Sequence, residues 1–193
     1  MSKPAQSPKG QARRAQILDA AAECFRREGF HGSSMARIAA TAGMSPGHLF
    51  HYFKRKEDIV EAIVARERTV MEDFAGKLRS AGSRSDVLEL IYAGVVHVLA
   101  QDAEDANASL TMEILAEATR NPEILEMLRA FDEEARQKVV AVFEDTTPGA
   151  ASRRETLAAL VEGLSIRKLR NPELAGTLDR DVLREVLRSV VSG

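Results

Sequence analysis

A short predicted helix followed by a glycine turn, within residues 33–56, constrains the fold of this 193-residue chain more than any other feature. Ser34 is expected to cap a helix over residues 35–42, because its hydroxyl can accept a hydrogen bond from a first-turn amide. Gly43 comes next, where the left-handed backbone that often ends a helix carries no steric penalty for glycine. The pattern therefore predicts that the chain turns sharply after a short helix.

A second short helix is predicted immediately after this turn. Ser45 can cap it, and Pro46 suits its first turn, where no amide hydrogen bond is lost. Leu49 and Phe53 are four residues apart, so both are expected to anchor the same face of the helix inward. The side chains left pointing outward are His48, His51 and Tyr52. Two short helices joined in this way, with polar aromatic groups exposed on the second, indicate a helix-turn-helix that contacts DNA.

The distribution of charge supports the same interpretation. The chain carries a formal net charge of −2, but residues 1–56 hold ten Lys and Arg against three Asp and Glu, a net +7. Residues 57–193 hold the remaining seventeen against twenty-six, a net −9. A basic head followed by an acidic body predicts a nucleic-acid-binding module joined to a body with another role.

The sequence resembles the DNA-binding domain of TetR-family transcriptional regulators. The resemblance covers about residues 13–60 and is carried by GFHGSSMARIA at 29–39, by AGMSPGHLFHYF at 42–53, and by Lys56-Glu57. It implies contacts to operator DNA from the positions that match the family pattern or face outward. These are Ser34, Arg37, Ser45, Pro46, Gly47, His48, Phe50, His51, Tyr52 and Lys56. Phe50 departs from the family, which usually has a phosphate-binding tyrosine there, so that hydrogen bond is lost.

The rest of the chain predicts further helices. Apolar residues recur at spacings of three and four, and no stretch shows the sustained alternation of a strand. We expect an all-α fold of about nine helices, with an N-terminal three-helix, homeodomain-like helix-turn-helix head and a C-terminal helical bundle. The predicted domains are a disordered basic arm over 1–12, a DNA-binding domain over 13–56, and a ligand-binding and dimerisation domain over 57–193.

The body contains a set of apolar and methionine-rich positions that could line an effector pocket, because such pockets are mostly apolar with a few polar groups. These residues are Phe74, Ile91, Val95, His97, Met112, Leu115, Met127 and Phe131. Each of the apolar residues could equally belong to the ordinary core. His97 is expected to be a core histidine, with a polar role inside a pocket as the alternative.

The final two helices are predicted to form a homodimer interface. Their apolar residues recur at spacings of three and four, and little chain follows that could cover them. The predicted interface residues are Leu157, Leu160, Val161, Leu164, Val182, Leu183, Val186, Leu187 and Val190. Two such helices from each protomer would make a four-helix bundle about a two-fold axis. The alternative is that the same stripe packs on its own body.

Other chemistry finds little support in the sequence. Catalytic and nucleotide-binding motifs are absent, so an enzyme is not expected. Neither a cofactor nor a metal is expected: His48 and His51 lack further ligands at a suitable spacing, and Glu113 with Glu117 is predicted to be a solvated acidic face. Cys24, the sole cysteine, is expected to be a buried thiol in a cytoplasmic protein, and no stretch is long and apolar enough to cross a membrane.

The predicted function is that of a DNA-binding transcriptional regulator. The family resemblance further implies a repressor that a small, mostly apolar effector releases from a palindromic operator. The alternative is a DNA-binding helical protein without a small-molecule effector, either architectural or gated by a protein partner. Operator DNA and a second copy of the chain are the other expected partners, with no membrane partner.

Overall fold

The computed structural model describes residues 7–100, 107–143 and 149–192, and within these ranges the chain is helical with no strand. The predicted all-α fold is confirmed, with ten helices in the described ranges where about nine were expected. They are α1 (Pro8–Gly32), α2 (Met35–Thr41), α3 (Pro46–Tyr52), α4 (Lys56–Arg79), α5 (Arg84–Ala100), α6 (Asn107–Ala118), α7 (Pro122–Phe143), α8 (Ala150–Arg170), α9 (Leu174–Thr177) and α10 (Arg180–Ser192).

The first helix begins earlier than the sequence predicted. Ser7 caps α1, since its side-chain oxygen accepts a hydrogen bond from Gly10 N at 3.2 Å, and Pro8 occupies the first helical position. Serine followed by proline is a local start signal for a helix. The predicted disordered arm over residues 1–12 is therefore wrong for residues 8–12, while residues 1–6 lie outside the described part of the chain.

Gly29 interrupts the regular helical backbone of α1. Its backbone has φ 73° and ψ 168°, a conformation that side-chain-bearing residues rarely adopt. The chain then resumes a helical turn that buries Phe30, whose ring lies 5.4 Å from that of Phe25. Ser33 closes the turn by donating its hydroxyl to Gly29 O at 2.8 Å.

The chain divides into two compact units. The first comprises residues 1–67 with 110–128, and the second comprises residues 68–109 with 129–193. This division differs from the predicted domain boundary at residue 56, which falls inside the first unit. The first turns of α4 bury Ile59 and Ile63, so the helical periodicity across residue 56 gives no sign of where the unit ends.

The core of the first unit is formed by the inward faces of its short helices. α1 packs on α2 and α2 packs on α3. Ile17, Ile38 and Leu49, one from each helix, are fully buried. Phe53, directly after α3, is 2% exposed. Burying such a side chain contributes roughly 1.5–3 kcal/mol relative to leaving it in water, so these residues fix the orientation of the turn between α2 and α3.

The second unit has its own apolar core. α5 packs on α8, α9 and α10, and α10 packs on α8. The buried side chains are Leu78, Leu88, Ile91, Tyr92, Val95, Leu99, Leu174, Leu183, Leu187 and Val191. One face of α10 therefore belongs to the core of its own protomer.

Candidate nucleic-acid interface

Local hydrogen bonds build the helix-turn-helix as the sequence predicted. Ser34 Oγ accepts from Arg37 N at 3.1 Å, and Ser45 Oγ accepts from His48 N at 3.3 Å, so each serine caps its helix. Gly43 lies between the two helices with φ 64°. The two caps and the left-handed glycine are confirmed, and together they set the direction in which α3 leaves the turn.

α3 buries one face and exposes the other. Leu49 is fully buried, while Ser45, Pro46, Gly47, His48 and His51 are exposed. Tyr52 is half-buried and lies between the two imidazoles, with ring centroids 5.5 Å from His48 and 5.4 Å from His51. Phe50 is 40% exposed, which is unusual for a phenylalanine in so short a helix. The helix therefore exposes both imidazoles and the Phe50 ring, with Tyr52 packed against the imidazoles.

Two basic residues predicted to contact DNA phosphates also have partners within the protein. Arg37 donates to Glu28 Oε1 from Nε at 2.9 Å and from Nη2 at 2.6 Å. This hydrogen bond and the carboxylate charge raise the pKa of Arg37, so it remains a cation. Lys56 Nζ donates to Phe30 O and lies 4.3 Å from the centroid of the Phe30 ring. Both side chains thus help to fix the first unit.

The start of α4 is held by an acidic residue that the sequence analysis did not single out. Asp58 Oδ2 accepts from Lys54 N at 2.9 Å and from Arg55 N at 3.0 Å. Partial burial opposes ionisation of Asp58, but these backbone donors and the Arg55 charge lower its pKa overall. An acidic residue at the third helical position is one half of the capping-box pattern, so a local signal for this role was present.

Arg55 forms an ion pair that sequence reasoning missed. Its Nη1 lies 3.0 Å from Glu123 Oε2 and its Nη2 lies 2.6 Å from Glu123 Oε1, so the guanidinium holds the carboxylate with two parallel bonds. Both residues belong to the first unit although they are 68 positions apart. Helical periodicity carries no information about a pair so distant in sequence, and no local pattern identifies it.

The predicted solvated face of Glu113 and Glu117 is wrong for Glu117. Glu117 is 4% exposed, with Oε2 2.9 Å from His31 Nε2 and 3.5 Å from Arg120 Nη2. Glu113 is partly buried, and its Oε2 lies 3.3 Å from where a Cβ at Gly29 would be. The spacing of the two glutamates was compatible with an exposed face, but α6 lies against the turn at Gly29, and Glu117 is buried there beside His31.

Four of the predicted pocket residues are buried or half-buried in the second unit. Ile91 and Val95 are buried in its core, and Phe74 packs against that core with its ring 3.5 Å from where a Cβ at Gly94 would be. Phe131 is half-buried. The structure therefore brings Phe74, Ile91 and Val95 together, and their role in an effector pocket stays a prediction.

The other four predicted pocket residues have different surroundings. Met112 and Leu115 are each 46% exposed, and Met127 is half-buried; all three belong to the first unit. His97 belongs to the second unit and is exposed, so the prediction of a core histidine is wrong. It lies on the face of α5 opposite Val95 and Leu99, because a separation of two residues turns a helix by more than half a revolution.

The predicted dimer stripe of α10 is divided between two faces. Leu183 and Leu187 are buried in the core of their own protomer, so the structure corrects their assignment to the interface. Val182 and Val186 are 54% and 41% exposed, and Val190 is partly exposed. The interface prediction therefore rests, in α10, on these three valines. On α8 the predicted residues are partly buried against the second core: Leu157, Leu160, Val161 and Leu164.

Three further observations concern the cysteine, possible metal sites and possible membrane-spanning helices. Cys24 is buried, as predicted, with Sγ 3.4 Å from Thr41 Oγ1. Among the described residues, no group of three or more His, Cys, Asp or Glu side chains is placed to hold a metal ion. In the same ranges no helix is long and apolar enough to span a membrane.

Two family profiles match the chain. The profile described as "Bacterial regulatory proteins, tetR family" matches residues 17–63, which contain α2 and α3. The profile described as "BetI-type transcriptional repressor, C-terminal" matches residues 87–193, more than half of the chain. Together they cover the helix-turn-helix and most of the remaining helices.

Individual proteins show the same similarity. The transcriptional regulator UidR of Escherichia coli is 34% identical over 119 residues, which span 62% of this chain but only 58% of UidR. BetI of Paraburkholderia xenovorans is 30% identical over 162 residues, 80% of each chain. The solved structure of Salmonella enterica GusR superposes with a TM-score of 0.74 at 27% identity, covering 99% of this chain and all of GusR.

Proposed function

Because this chain belongs to the TetR family of bacterial regulatory proteins, we propose that it is a transcriptional repressor that binds operator DNA through α3. The observation that carries the proposal is the exposed face of α3, where His48, His51 and Tyr52 cluster while Leu49 anchors the helix from behind. An α-helix fits the major groove, which is about 12 Å wide.

The side chains of α3 can make both hydrogen bonds and apolar contacts with the base edges and the phosphate backbone of DNA. Imidazole and phenol groups can donate or accept hydrogen bonds. The exposed ring of Phe50 suits an apolar contact with a thymine methyl. Ser45, Pro46 and Gly47 lie at the start of α3, where small side chains allow a phosphate to approach the backbone. Ser34, Arg37 and Lys56 complete the proposed contact set at the edge of the groove.

The active form is proposed to be a homodimer with a two-fold axis. The exposed Val182 and Val186, with Val190, form an apolar strip on α10, beside the partly buried leucines of α8. Two heads related by a two-fold axis would bind a palindrome whose half-sites face the same side of the duplex. One short helix specifies few base pairs, so the second head would supply the remaining specificity.

A small, mostly apolar effector is proposed to control this binding. The partly exposed aromatic side chains of Phe74 and Phe131, both in the second unit, support control of this kind. Effector and operator would favour different conformations, and their coupling would then be reciprocal. A co-crystal structure with the effector bound wholly within residues 1–56 would overturn this part of the proposal.

Selection of DNA duplexes from a random pool tests the proposed function. The parent protein should enrich an inverted repeat, and His48→Ala should change the preferred bases because an imidazole at a base edge contributes to specificity. His97→Ala, which removes an exposed histidine of α5, serves as the control and should select the parent sequence. Failure of the parent protein to enrich any sequence at moderate salt would reject the proposal.

A further inference from the structure

Three consecutive basic residues follow α3, and they have different partners. Lys54 Nζ donates to Phe50 O at 2.7 Å, where it caps the end of α3. Lys56 Nζ is bound to Phe30 O and lies over the Phe30 ring. Arg55 differs from both because its guanidinium is paired with a carboxylate, Glu123, from the distant start of α7. A phosphate would compete most directly for Arg55, since carboxylate and phosphate bind the guanidinium in the same geometry.

The geometry of the Arg55–Glu123 pair suits an exchangeable contact. The two nitrogens lie 3.0 and 2.6 Å from the two carboxylate oxygens, which is ideal bidentate pairing. Both side chains are more than half exposed, so water and salt reach the pair and its net contribution to folding is small. The Arg55 hydrogen bond lowers the pKa of Glu123, so the carboxylate is fully charged near neutral pH.

Glu123 is held in place by contacts that do not depend on Arg55. Asn121 Oδ1 accepts from Glu123 N at 3.2 Å and caps the start of α7. Shortly before this segment, the buried Glu117 lies against His31 and Arg120. The carboxylate of Glu123 is therefore presented to Arg55 by a backbone segment with its own attachments to the first unit.

We propose that Glu123 competes with DNA phosphates for Arg55, so that the Arg55–Glu123 pair restrains the DNA affinity of this protein. The inference rests on the proposed function, because it assumes that α3 and the residues after it lie on DNA. In the free protein the guanidinium is bound to Glu123, and its Nη2 also lies 3.4 Å from Asp58 Oδ1. On DNA, Arg55 exchanges the carboxylate for a phosphate, and the displaced Glu123 stands unpaired near the negatively charged duplex.

Measurements of DNA affinity for four variants test this competition. Binding to a labelled duplex of arbitrary sequence, and to the duplex selected by the parent, is followed by fluorescence anisotropy over a range of salt concentrations. Arbitrary sequence is informative because a phosphate contact is independent of the bases. The variants are Glu123→Gln, Arg55→Gln, the double variant, and Glu126→Gln, which removes the same charge from an exposed position of the same helix. Circular dichroism and thermal melting establish that each variant is folded.

Glu123→Gln should tighten binding to both duplexes by roughly three- to tenfold, and Glu126→Gln should have a clearly smaller effect. In the Arg55→Gln background, Glu123→Gln should change the affinity by no more than Glu126→Gln does in the parent. Removing Arg55 should make the slope of log K against log salt less steep by about one unit when Glu123 is already Gln. In the parent, where Glu123 is present, the same change should reduce the steepness by less.

Equal effects of Glu123→Gln and Glu126→Gln in the parent background would overturn the competition. Unchanged affinity and slope for Arg55→Gln in the Glu123→Gln background would overturn it as well. Both results would leave DNA binding by the parent intact and so would not affect the proposed function. Failure of the parent to bind any duplex would instead reject the function itself, together with the inference.

Discussion

Gly43 and Gly47 lie close together in sequence but owe their importance to different causes. Gly43 has φ 64° and ends the turn after α2, with no neighbouring atom within 4 Å of the point where a Cβ would lie. Gly47 lies in the first turn of α3 and likewise has open space around it. Backbone conformation therefore requires glycine at position 43, whereas nothing in the described part of the chain requires it at position 47.

We expect opposite results from alanine at these two positions. Gly43→Ala should lower the free energy of unfolding by roughly 1–2 kcal/mol, because a Cβ is strained in the left-handed conformation. Gly47→Ala should leave stability unchanged or slightly raised, yet weaken DNA binding roughly tenfold, because the added methyl group would separate α3 from the duplex. Urea denaturation and anisotropy measure the two effects, and undiminished DNA binding by Gly47→Ala would argue against close approach of α3.

At the scale of elements, α7 and α8 bring carboxylates together. Burial raises the pKa of Asp132, and the Glu155 charge adds to this, while Arg136 opposes it. Burial also raises the pKa of Glu162, with further contributions from Asp132 and Glu155. A carboxyl group whose pKa is higher in the folded than in the unfolded state binds more protons when folded. Folding stability therefore falls as pH rises above the ordinary carboxyl pKa.

Glu162→Gln should consequently stabilise the protein near neutral pH and lose this effect in acid. The gain should be less than about 1 kcal/mol, since the two carboxylates are only partly buried and solvent still screens their charges. It should disappear below about pH 4, where the carboxyl groups are protonated in both folded and unfolded states. Melting temperatures measured across this pH range provide the test, with Glu185→Gln on α10 as control. A gain that persists unchanged in acid would exclude an electrostatic cause.

At the scale of the whole molecule, one face of α10 packs in the core and the other is the proposed dimer interface. Substitutions on the first face should therefore change stability, and substitutions on the second should change the oligomeric state. Val182→Glu with Val186→Glu should convert the proposed dimer to folded monomers that bind operator DNA far more weakly, because charge would be placed on the exposed strip. Leu187→Ala should instead lower stability by about 2–5 kcal/mol, since it leaves a cavity in the core of the protomer. Sedimentation and denaturation measure the two outcomes. A parent protein that sediments as a monomer at micromolar concentration would disprove the dimer.

The sequence by itself determined the features that depend on residues within one or two helical turns. The caps at Ser34 and Ser45, the left-handed Gly43, and the buried Leu49 and Phe53 all follow from local hydrogen bonding and helical periodicity. Because these rules act over three or four residues, they identified the helix-turn-helix. The family resemblance lies in the same segment for the same reason.

Only the tertiary structure decided which apolar and charged side chains meet partners that are distant in sequence. Val186 and Leu187 are adjacent apolar residues of one predicted stripe, yet Val186 is exposed and Leu187 is fully buried. Glu117 has the spacing of a surface residue but is covered, and Arg55 pairs with Glu123 across 68 positions. Periodicity defines the faces of a helix, but what each face touches depends on how separate helices pack, and no local rule contains that information.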